Sequence, residues 1–173
     1  MINGDKSMLI TRRLIIKTYE DTDEERMVEL LTDETIRETY MLPEFDTRSQ
    51  AVTYFKKLRQ VSFSADHYEY GIYRNNELIG FVNDVSIEKD SIEIGFVIHP
   101  DSQNNGYATE MLFAVIKDLF SRGFSTVTAC VFENNKASRR VLEKCGMKRA
   151  KEETNIHYQG RQRHCIYYSV SSG

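Results

Sequence analysis

The chain has few cysteines and no run of apolar residues long enough to cross a membrane. Its three cysteines, Cys130, Cys145 and Cys165, are odd in number and far apart, and they form no Cys-x-x-Cys metal pattern. They favour a reducing compartment over a disulfide framework. No apolar stretch approaches the roughly 20 residues of a membrane-spanning helix, and the first residues lack the basic-then-apolar pattern of a signal peptide. We therefore expect a cytoplasmic protein without a membrane partner.

The chain also lacks an excess of basic residues. Its 23 Lys and Arg are balanced by 26 Asp and Glu, which gives a net charge of −3 and no reason to expect nucleic-acid binding. The four histidines, at positions 67, 99, 157 and 164, show no metal-ligand spacing, so we expect no metal site. A length of 173 residues suits one domain with a substantial core. We expect a single domain over residues 8–170, without repeats or linkers.

The spacing of apolar residues predicts a mixed α/β sheet with the element order β-α-α-α-β-β-β-α-β-α-β-β. A capping box at Thr22–Glu25 marks the start of the first helix. In chain order, the predicted elements are a strand at 8–17, helices at 24–31, 33–40 and 48–61, strands at 67–74, 78–87 and 91–98, a helix from 106 to about 123, a strand at 125–132, a helix at about 137–145, and strands at 147–157 and 162–170.

A polar loop joins the strand at 91–98 to the helix that begins near Gly106. The first turn of a helix has unpaired N–H groups and a positive dipole end, which together attract an anion such as phosphate. Gly106 lets the backbone approach a ligand closely, and Asn104 and Asn105 tolerate unusual dihedral angles. The loop has no lysine and one glycine, so it is neither a P-loop nor a Rossmann turn. An anion site and a simply capped helix both remain open.

The sequence Gln103-Asn-Asn-Gly-Tyr-Ala108 resembles the Gln/Arg-x-x-Gly-x-Gly/Ala pattern of the GNAT acyltransferases. Three other segments, LITRRLIIK with the acidic capping box behind it, IEIGFVIHP and ENNKASRRVLEKCGMKR, are similar to the Rim-type branch, which is ribosomal-protein-alanine N-acetyltransferase-like. The likeness covers residues 8–170 in order, with Met147 where phenylalanine is usual. It implies the GNAT acyl-CoA N-acyltransferase fold, whose mostly antiparallel central sheet is splayed between its fourth and fifth strands.

The resemblance implies that acetyl-CoA is the cosubstrate. Loop amides would hold its pyrophosphate, and the backbone of the fourth strand would meet its pantetheine and polarise the thioester carbonyl. The implied acetyl-CoA-binding residues are Phe96, Val97, Ile98, Gln103, Asn104, Asn105, Gly106, Tyr107, Ala108, Thr109 and Asn135.

A lone acid, Glu93, lies in the strand at 91–98, on the face opposite Ile92 and Ile94. A carboxylate in a strand is commonly solvated. An amine, however, must be neutral to attack a thioester, which at pH 7 costs roughly 1 kcal/mol for an α-amine and about 4 to 5 kcal/mol for a lysine. A nearby base would help, and the resemblance places the family's catalytic glutamate at Glu93. Gly95 indicates either a β-bulge or a close ligand approach.

The leaving thiolate needs a proton or other stabilisation. The tyrosine that many GNAT enzymes use is replaced here by Leu142, and the resemblance implies Ser138 as its substitute. Ser138 and Asn135 are equally consistent with helix caps. Three further tyrosines are unranked candidates for the proton donor: Tyr40, Tyr158 and Tyr167. We expect Cys130 and Cys145 to be core residues rather than nucleophiles.

The basic run at residues 157–164 is commonly a solvated turn, but the resemblance implies that this hairpin borders the acceptor cleft, with the acidic segment at residues 33–46 on the opposite wall. Because their signs are opposite, charge does not identify the acceptor. We expect an N-acetyltransferase that moves the acetyl group directly, in a ternary complex, to a protein or peptide N-terminal α-amine. The alternatives are a small amine (a polyamine, an amino acid or an aminoglycoside) and a non-catalytic CoA-binding module. The C-terminal edge strands are consistent with a monomer or a homodimer.

Overall fold

The computed structural model describes residues 8–173; the first seven residues, which were compared with signal peptides above, lie outside this range. The described residues form one sheet with helices on both faces. The elements are β1 (Leu9–Ile10), β2 (Ile15–Lys17), α1 (Glu24–Thr32), α2 (Glu34–Thr39), α3 (Arg48–Ser62), β3 (Glu69–Arg74), β4 (Glu77–Glu88), β5 (Ser91–Ile98), α4 (Tyr107–Ser121), β6 (Thr126–Phe132), α5 (Lys136–Lys144), β7 (Lys148–Tyr158) and β8 (Arg161–Ser171). None of the described helices is long and apolar enough to span a bilayer.

The eight strands lie in the order β1-β2-β3-β4-β5-β6-β8-β7, and only the β5–β6 pair is parallel. That pair is short, because its register covers only Ser91, Ile92 and Glu93 against residues 126–128. Beyond Glu93 the two strands separate, while β4 and β5 stay paired as far as Gly80 and Ile98. The predicted splay between strands 91–98 and 126–132 is therefore confirmed.

The two faces of the sheet carry separate cores. Ile92, Ile94 and Ile98 of β5 pack with the apolar face of α4 in the larger core, and Val97 packs under α1 and α3 in the smaller one. This alternation confirms the predicted orientation of β5. Each fully buried aliphatic side chain contributes roughly 1.5–3 kcal/mol, so the two cores fix the face to which Glu93 belongs.

The single strand predicted at 8–17 is wrong in detail, because the chain folds there into a tight hairpin. Leu9 pairs with Ile16 across β1 and β2. At the turn, the Thr11 N–H donates to the Leu14 carbonyl at 2.9 Å, and the Leu14 N–H donates to Thr11 Oγ1 at 3.0 Å. A threonine hydroxyl that replaces a backbone partner in this way favours a turn over a continuous strand.

The capping box predicted at Thr22–Glu25 lies elsewhere. The Glu20 N–H donates to the Asp23 carboxylate at 2.7 Å, around a short 3-10 turn at Asp21–Asp23. Asp23 is buried and also accepts a hydrogen bond from the Tyr73 hydroxyl. The box therefore begins two residues earlier than predicted, and α1 starts immediately after it.

Candidate active site

The predicted anion site lies where the loop after β5 enters α4. Gly106 is the residue before the helix, in the left-handed region at φ 79°, and no side chain caps this end. The first intrahelical bond is donated by the Glu110 N–H to the Gly106 carbonyl at 3.1 Å. The amides of residues 107–109 therefore lack a helical partner and sit at the positive end of the helix dipole. This geometry fits a phosphate, and a side chain at position 106 would be strained.

The loop side chains hold the loop in shape. Asn105 Nδ2 donates to the carbonyls of Ser102 and Gln103 at 3.1 and 2.8 Å. Gln103 Nε2 donates to the Ile98 carbonyl at 2.9 Å, and Asn104 takes a left-handed conformation at φ 61°. Because these side chains are used within the loop, it presents mainly its backbone to a ligand.

Two arginines that the sequence analysis did not single out flank the start of α4. The Arg13 guanidinium donates to Glu110 Oε2 at 2.7 Å and to the Asn105 carbonyl at 2.9 Å. It also lies 4.6 Å from the centre of the Tyr107 ring, and the Arg74 guanidinium lies 5.3 Å from the same ring. The sequence offered one signal for Arg13, namely the charged pair Arg12-Arg13 within the otherwise apolar first predicted strand. Glu110 offsets part of the charge of Arg13, and Arg74 places a further cation beside this end of the helix.

A cavity of about 510 Å³ opens where β5 and β6 separate. The predicted site residues that line it are Tyr40, Glu93, Gly95, Phe96, Asn135, Ser138 and Tyr167. Val97, Ile98 and Tyr158 are buried and do not line the cavity. The splay of the sheet thus brings the predicted base, the predicted proton donors and part of the β5 backbone to one place.

The β5 backbone presents alternate peptide groups to the cavity side. The His99 N–H donates to the Ile79 carbonyl of β4 at 2.7 Å. Because successive residues of a strand direct their peptide groups to opposite edges, the N–H groups of Phe96 and Ile98 face the open edge, and that of Val97 faces β4. Phe96 also lines the cavity. Its N–H is therefore the best placed of the three predicted groups to polarise a carbonyl.

Glu93 is the last β5 residue that pairs with β6, and it lines the cavity. The carboxyl is half-buried, and this burial raises its pKa above the usual value. A carboxylate with a raised pKa takes up a proton more readily than an exposed one, which suits a general base near neutral pH.

Gly95 is explained by the close approach of Tyr40. A Cβ built on Gly95 would lie 2.3 Å from Tyr40 Oη. The Tyr40 hydroxyl donates to Asn83 Oδ1 at 2.8 Å, and its ring meets Phe81 edge-on at 5.8 Å. The predicted bulge is not at Gly95, because the register shift of this strand pair lies in β4. The group that approaches Gly95 in the structure is the Tyr40 side chain, whereas the approach of a ligand stays a prediction.

Asn135 and Ser138 form one unit at the start of α5. Asn135 caps the helix, because its Oδ1 accepts the Ser138 N–H at 3.1 Å. Its Nδ2 donates to Ser138 Oγ at 3.0 Å and to the Thr39 carbonyl at 3.3 Å. Ser138 is the third helical residue and not the cap, and its own hydroxyl proton is free to be donated into the cavity. Leu142 is fully buried in the core.

The remaining tyrosine candidates differ in their surroundings. The Tyr158 hydroxyl accepts the Leu42 N–H and donates to the Tyr40 carbonyl, both at 3.2 Å, so it serves to hold the backbone. Tyr167 lines the cavity, and burial, Cys130 and Glu93 raise its pKa to about 12. Tyr167 therefore stays protonated at neutral pH and is a second candidate donor beside Ser138.

The cysteines occupy two kinds of environment. Cys145 is buried, as expected, and its thiol donates to the Thr109 carbonyl at 3.5 Å. Cys130 was expected in the core, but it lines the cavity, as does Cys165. Burial raises the pKa of the Cys130 thiol to about 12, so it is a poor nucleophile. Among residues 8–173, no group of three or more His, Cys, Asp or Glu could hold a metal ion.

One residue of the acidic segment, Glu38, binds the basic hairpin. Arg161 Nη2 lies 2.5 Å from Glu38 Oε2, and Arg163 donates to the Glu38 carbonyl. The Arg163 guanidinium also lies 4.4 Å from the centre of the Phe132 ring. These contacts and the Tyr158 bonds join α2 to the β7–β8 hairpin beside the cavity. Glu44, another member of the acidic segment, pairs with Arg37 instead.

The family of the chain follows from comparison with known proteins. Residues 13–148 match the model of the acetyltransferase (GNAT) domain, and the chain belongs to this family of N-acetyltransferases. A similar curated protein is the uncharacterized N-acetyltransferase YoaA of Bacillus subtilis (strain 168), 29% identical over 147 residues that cover 82% of this chain and 83% of YoaA.

Two solved structures share the fold. The ribosomal L7/L12 alpha-N-protein acetyltransferase RimL superposes with a TM-score of 0.83 at 14% identity, over 96% of this chain and 94% of RimL. The microcin C7 self-immunity acetyltransferase MccE, solved in complex with acetyl-CoA and AMP, superposes with a TM-score of 0.82 at 15% identity, over 94% of both chains. The predicted family and fold are thus confirmed.

Proposed function

We propose that the protein transfers an acetyl group from acetyl-CoA directly to a primary amine, with Glu93 as the base. The observation that carries this proposal is the cavity in the splay of β5 and β6, where Glu93, the Phe96 N–H and Ser138 meet. Holding both reactants in one cavity supplies a large part of the rate, because a bimolecular step becomes effectively unimolecular.

The acetyl-CoA site in this proposal runs from the start of α4 into the cavity. The amides of residues 107–109 and the guanidinium groups of Arg13 and Arg74 would hold its phosphates. Its pantetheine arm would lie along the open edge of β5. The acetyl-CoA bound in MccE, which shares this fold, supports the assignment.

The transfer proceeds with two proton movements. The amine gives a proton to Glu93 and attacks the thioester carbonyl carbon, while the Phe96 N–H stabilises the developing oxyanion. The new C–N bond forms as the C–S bond breaks, and the thiolate takes a proton from Ser138, with Tyr167 as the other candidate donor. The donor hydroxyl regains a proton from solvent, and Glu93 returns its own proton to solvent, so that both groups are restored for the next cycle.

An N-terminal α-amine of a protein or peptide is the acceptor that we favour. Met41 and Val85, each 56% exposed, line the rim of the cavity and offer an apolar surface to the first side chain of a peptide. An α-amine also needs about 3 to 4 kcal/mol less than a lysine amine to lose its proton. RimL, which shares the fold, is named for such an acceptor.

A small amine is the second candidate, and the size of the cavity favours it. Its volume of about 510 Å³ lies within the range of pockets that bind small molecules.

The experiment is CoA release by the purified protein with acetyl-CoA and a panel of amines. The panel contains peptides with Ala, Ser or Met at the N-terminus, alaninamide, alanine, polyamines and aminoglycosides. Peptides are expected to be the best acceptors, and alaninamide is expected to exceed alanine because a free carboxylate would be repelled by Glu93. A clear preference for polyamines or aminoglycosides would contradict the α-amine assignment and leave acetyl transfer intact.

The Glu93→Gln variant separates the enzyme from a CoA-binding module. Loss of turnover with unchanged acetyl-CoA affinity is expected, because glutamine keeps the shape and removes the base. Glu88→Gln is the matched control, since Glu88 is an exposed acid at the end of β4, outside the cavity. If Glu93→Gln turns over like the wild type, Glu93 is not the base. If the wild-type protein binds acetyl-CoA and acetylates no amine, a binding module is the better description.

A further inference from the structure

Tyr40 places a phenol oxygen on the wall of the cavity. The residue ends α2, and its ring lies across β5 at Gly95, where a Cβ would be 2.3 Å from Oη. Because Gly95 has no side chain, the hydroxyl reaches the surface of the strand. It does so on the face that carries Glu93, two residues earlier in β5.

The hydroxyl proton of Tyr40 is already donated in a hydrogen bond within the protein. Tyr40 Oη donates to Asn83 Oδ1 at 2.8 Å. The amide of Asn83 is oriented in turn, because its Nδ2 donates to the Asp84 carbonyl at 3.0 Å. Burial and then Glu69 raise the pKa of Tyr40, so the group stays a neutral phenol. A phenol whose O–H is committed still has an oxygen lone pair that accepts a hydrogen bond.

Two further contacts hold the backbone and the ring of Tyr40 in place. The Tyr40 carbonyl accepts the Tyr158 hydroxyl at 3.2 Å, and the ring meets Phe81 edge-on. Restricting a binding group before the ligand arrives lowers the cost of binding. Tyr40 lines the cavity, and these contacts hold its ring there in one orientation.

We propose that Tyr40 Oη accepts a hydrogen bond from the acceptor amine and holds its nitrogen beside Glu93, with Asn83 as the positioning residue. The assignment rests on the proposed function and specifies its acceptor site. An ammonium or primary amine has enough N–H donors to bind the phenol oxygen and the carboxylate together. A neutral secondary amine has one N–H and can bind only one of the two groups, so the site favours primary amines.

The test compares Tyr40→Phe with the wild type in steady-state acetyl transfer to the best peptide of the panel. The KM for the amine is expected to rise at least about tenfold, which is the size of one lost hydrogen bond to a charged group. The value of kcat is expected to change little, because the interaction is made before and during the reaction alike. The acetyl-CoA affinity, measured by calorimetry, is expected to be unchanged. Tyr54→Phe, the same change on α3 outside the cavity, is the matched control.

Asn83→Ala provides an independent variant. It frees the Tyr40 hydroxyl to rotate, so the amine KM should rise less than in Tyr40→Phe. Asn83 also lines the cavity, so the double variant decides how it acts: a double variant no worse than Tyr40→Phe is expected if Asn83 works through Tyr40, whereas an additional loss would mean that Asn83 contacts the amine itself. A purely structural role would instead lower kcat, acetyl-CoA affinity and thermal midpoint together.

Three results would overturn the proposal: an unchanged amine KM in Tyr40→Phe, a fall confined to kcat, or a parallel loss of acetyl-CoA affinity. If the wild type acetylates amines and Tyr40→Phe has the same KM for the amine, the amine-binding role of Tyr40 fails and the proposed function stands. If the wild type acetylates no amine, the proposed function fails, and the amine site fails with it.

Discussion

The contact between Gly95 and Tyr40 makes the Gly95→Ala variant a sharp test of the structure. The added Cβ would lie 2.3 Å from Tyr40 Oη and 3.0 and 3.1 Å from Cε2 and Cζ of the same ring. Tyr40 cannot move away freely, because Asn83 holds its hydroxyl and Tyr158 holds its backbone. The ring must therefore be displaced for alanine to fit.

The expected cost has two parts. Overpacking of a well-filled site costs about 1–3 kcal/mol, and displacement of the ring breaks the hydrogen bond to Asn83, which is worth about 1 kcal/mol. The free energy of unfolding should therefore fall by about 2–4 kcal/mol in total, and a domain of this size loses roughly 2–4 °C of melting temperature for each kcal/mol. A drop of about 4 to 16 °C is expected.

The measurement is a double-mutant cycle by urea unfolding, with Gly95→Ala made in the wild type and in Tyr40→Phe. Phenylalanine lacks both the oxygen at 2.3 Å and the bond to Asn83. The cost of Gly95→Ala should therefore be smaller by at least about 1 kcal/mol in the Tyr40→Phe background. Equal costs in the two backgrounds would refute the claim that Tyr40 occupies the space above Gly95.

Three further predictions concern the charged groups and the cosubstrate loop. Burial raises the pKa of Glu93 above 4.5, so ionised Glu93 lowers the stability of the folded protein as the pH rises through that pKa. The melting temperature of Glu93→Gln should therefore exceed that of the wild type at pH 8 and equal it near pH 4. Equal melting temperatures at both pH values would contradict the burial of the charge. Gly106→Asp should weaken acetyl-CoA binding more than about tenfold in calorimetry, through backbone strain and charge beside phosphate, whereas unchanged affinity would exclude this loop. Arg13→Gln should weaken acetyl-CoA binding and flatten its salt dependence between 50 and 200 mM; an unaltered salt dependence would mean that Arg13 does not meet the phosphates.

Local patterns in the sequence were enough to predict part of the site. The alternation in β5 placed Glu93 opposite the isoleucines because a strand has a period of two residues, and the structure keeps that arrangement. Gly106 was found because a loop with one glycine before an apolar helix marks a chain entering its first turn, and Gly106 has the left-handed backbone that this role requires.

Contacts between distant segments could not be predicted in this way. Arg13 and Glu110 are 97 residues apart, and Arg163 and Glu38 are 125 apart. No local period links such pairs, since only the folded topology brings them together. For the same reason, the sequence suggested a bulge or a ligand at Gly95 but could not show that the side chain of Tyr40 packs there. The sequence also held no sign that one acid of the acidic segment, Glu38, pairs with Arg161 of the basic hairpin.

The short seam between β5 and β6 has a mechanical consequence. Three residues of β5 pair with β6, so the sheet consists of two half-sheets, β1 to β5 and β6 to β8, that are joined at one end. On the proposed function, the pantetheine arm lies in the gap in the place of a further strand and bonds to edge groups that a neighbouring strand would otherwise satisfy. The loaded protein then has more of its β5 edge hydrogen-bonded than the empty one, and release of the product CoA exposes that edge for the next acetyl-CoA.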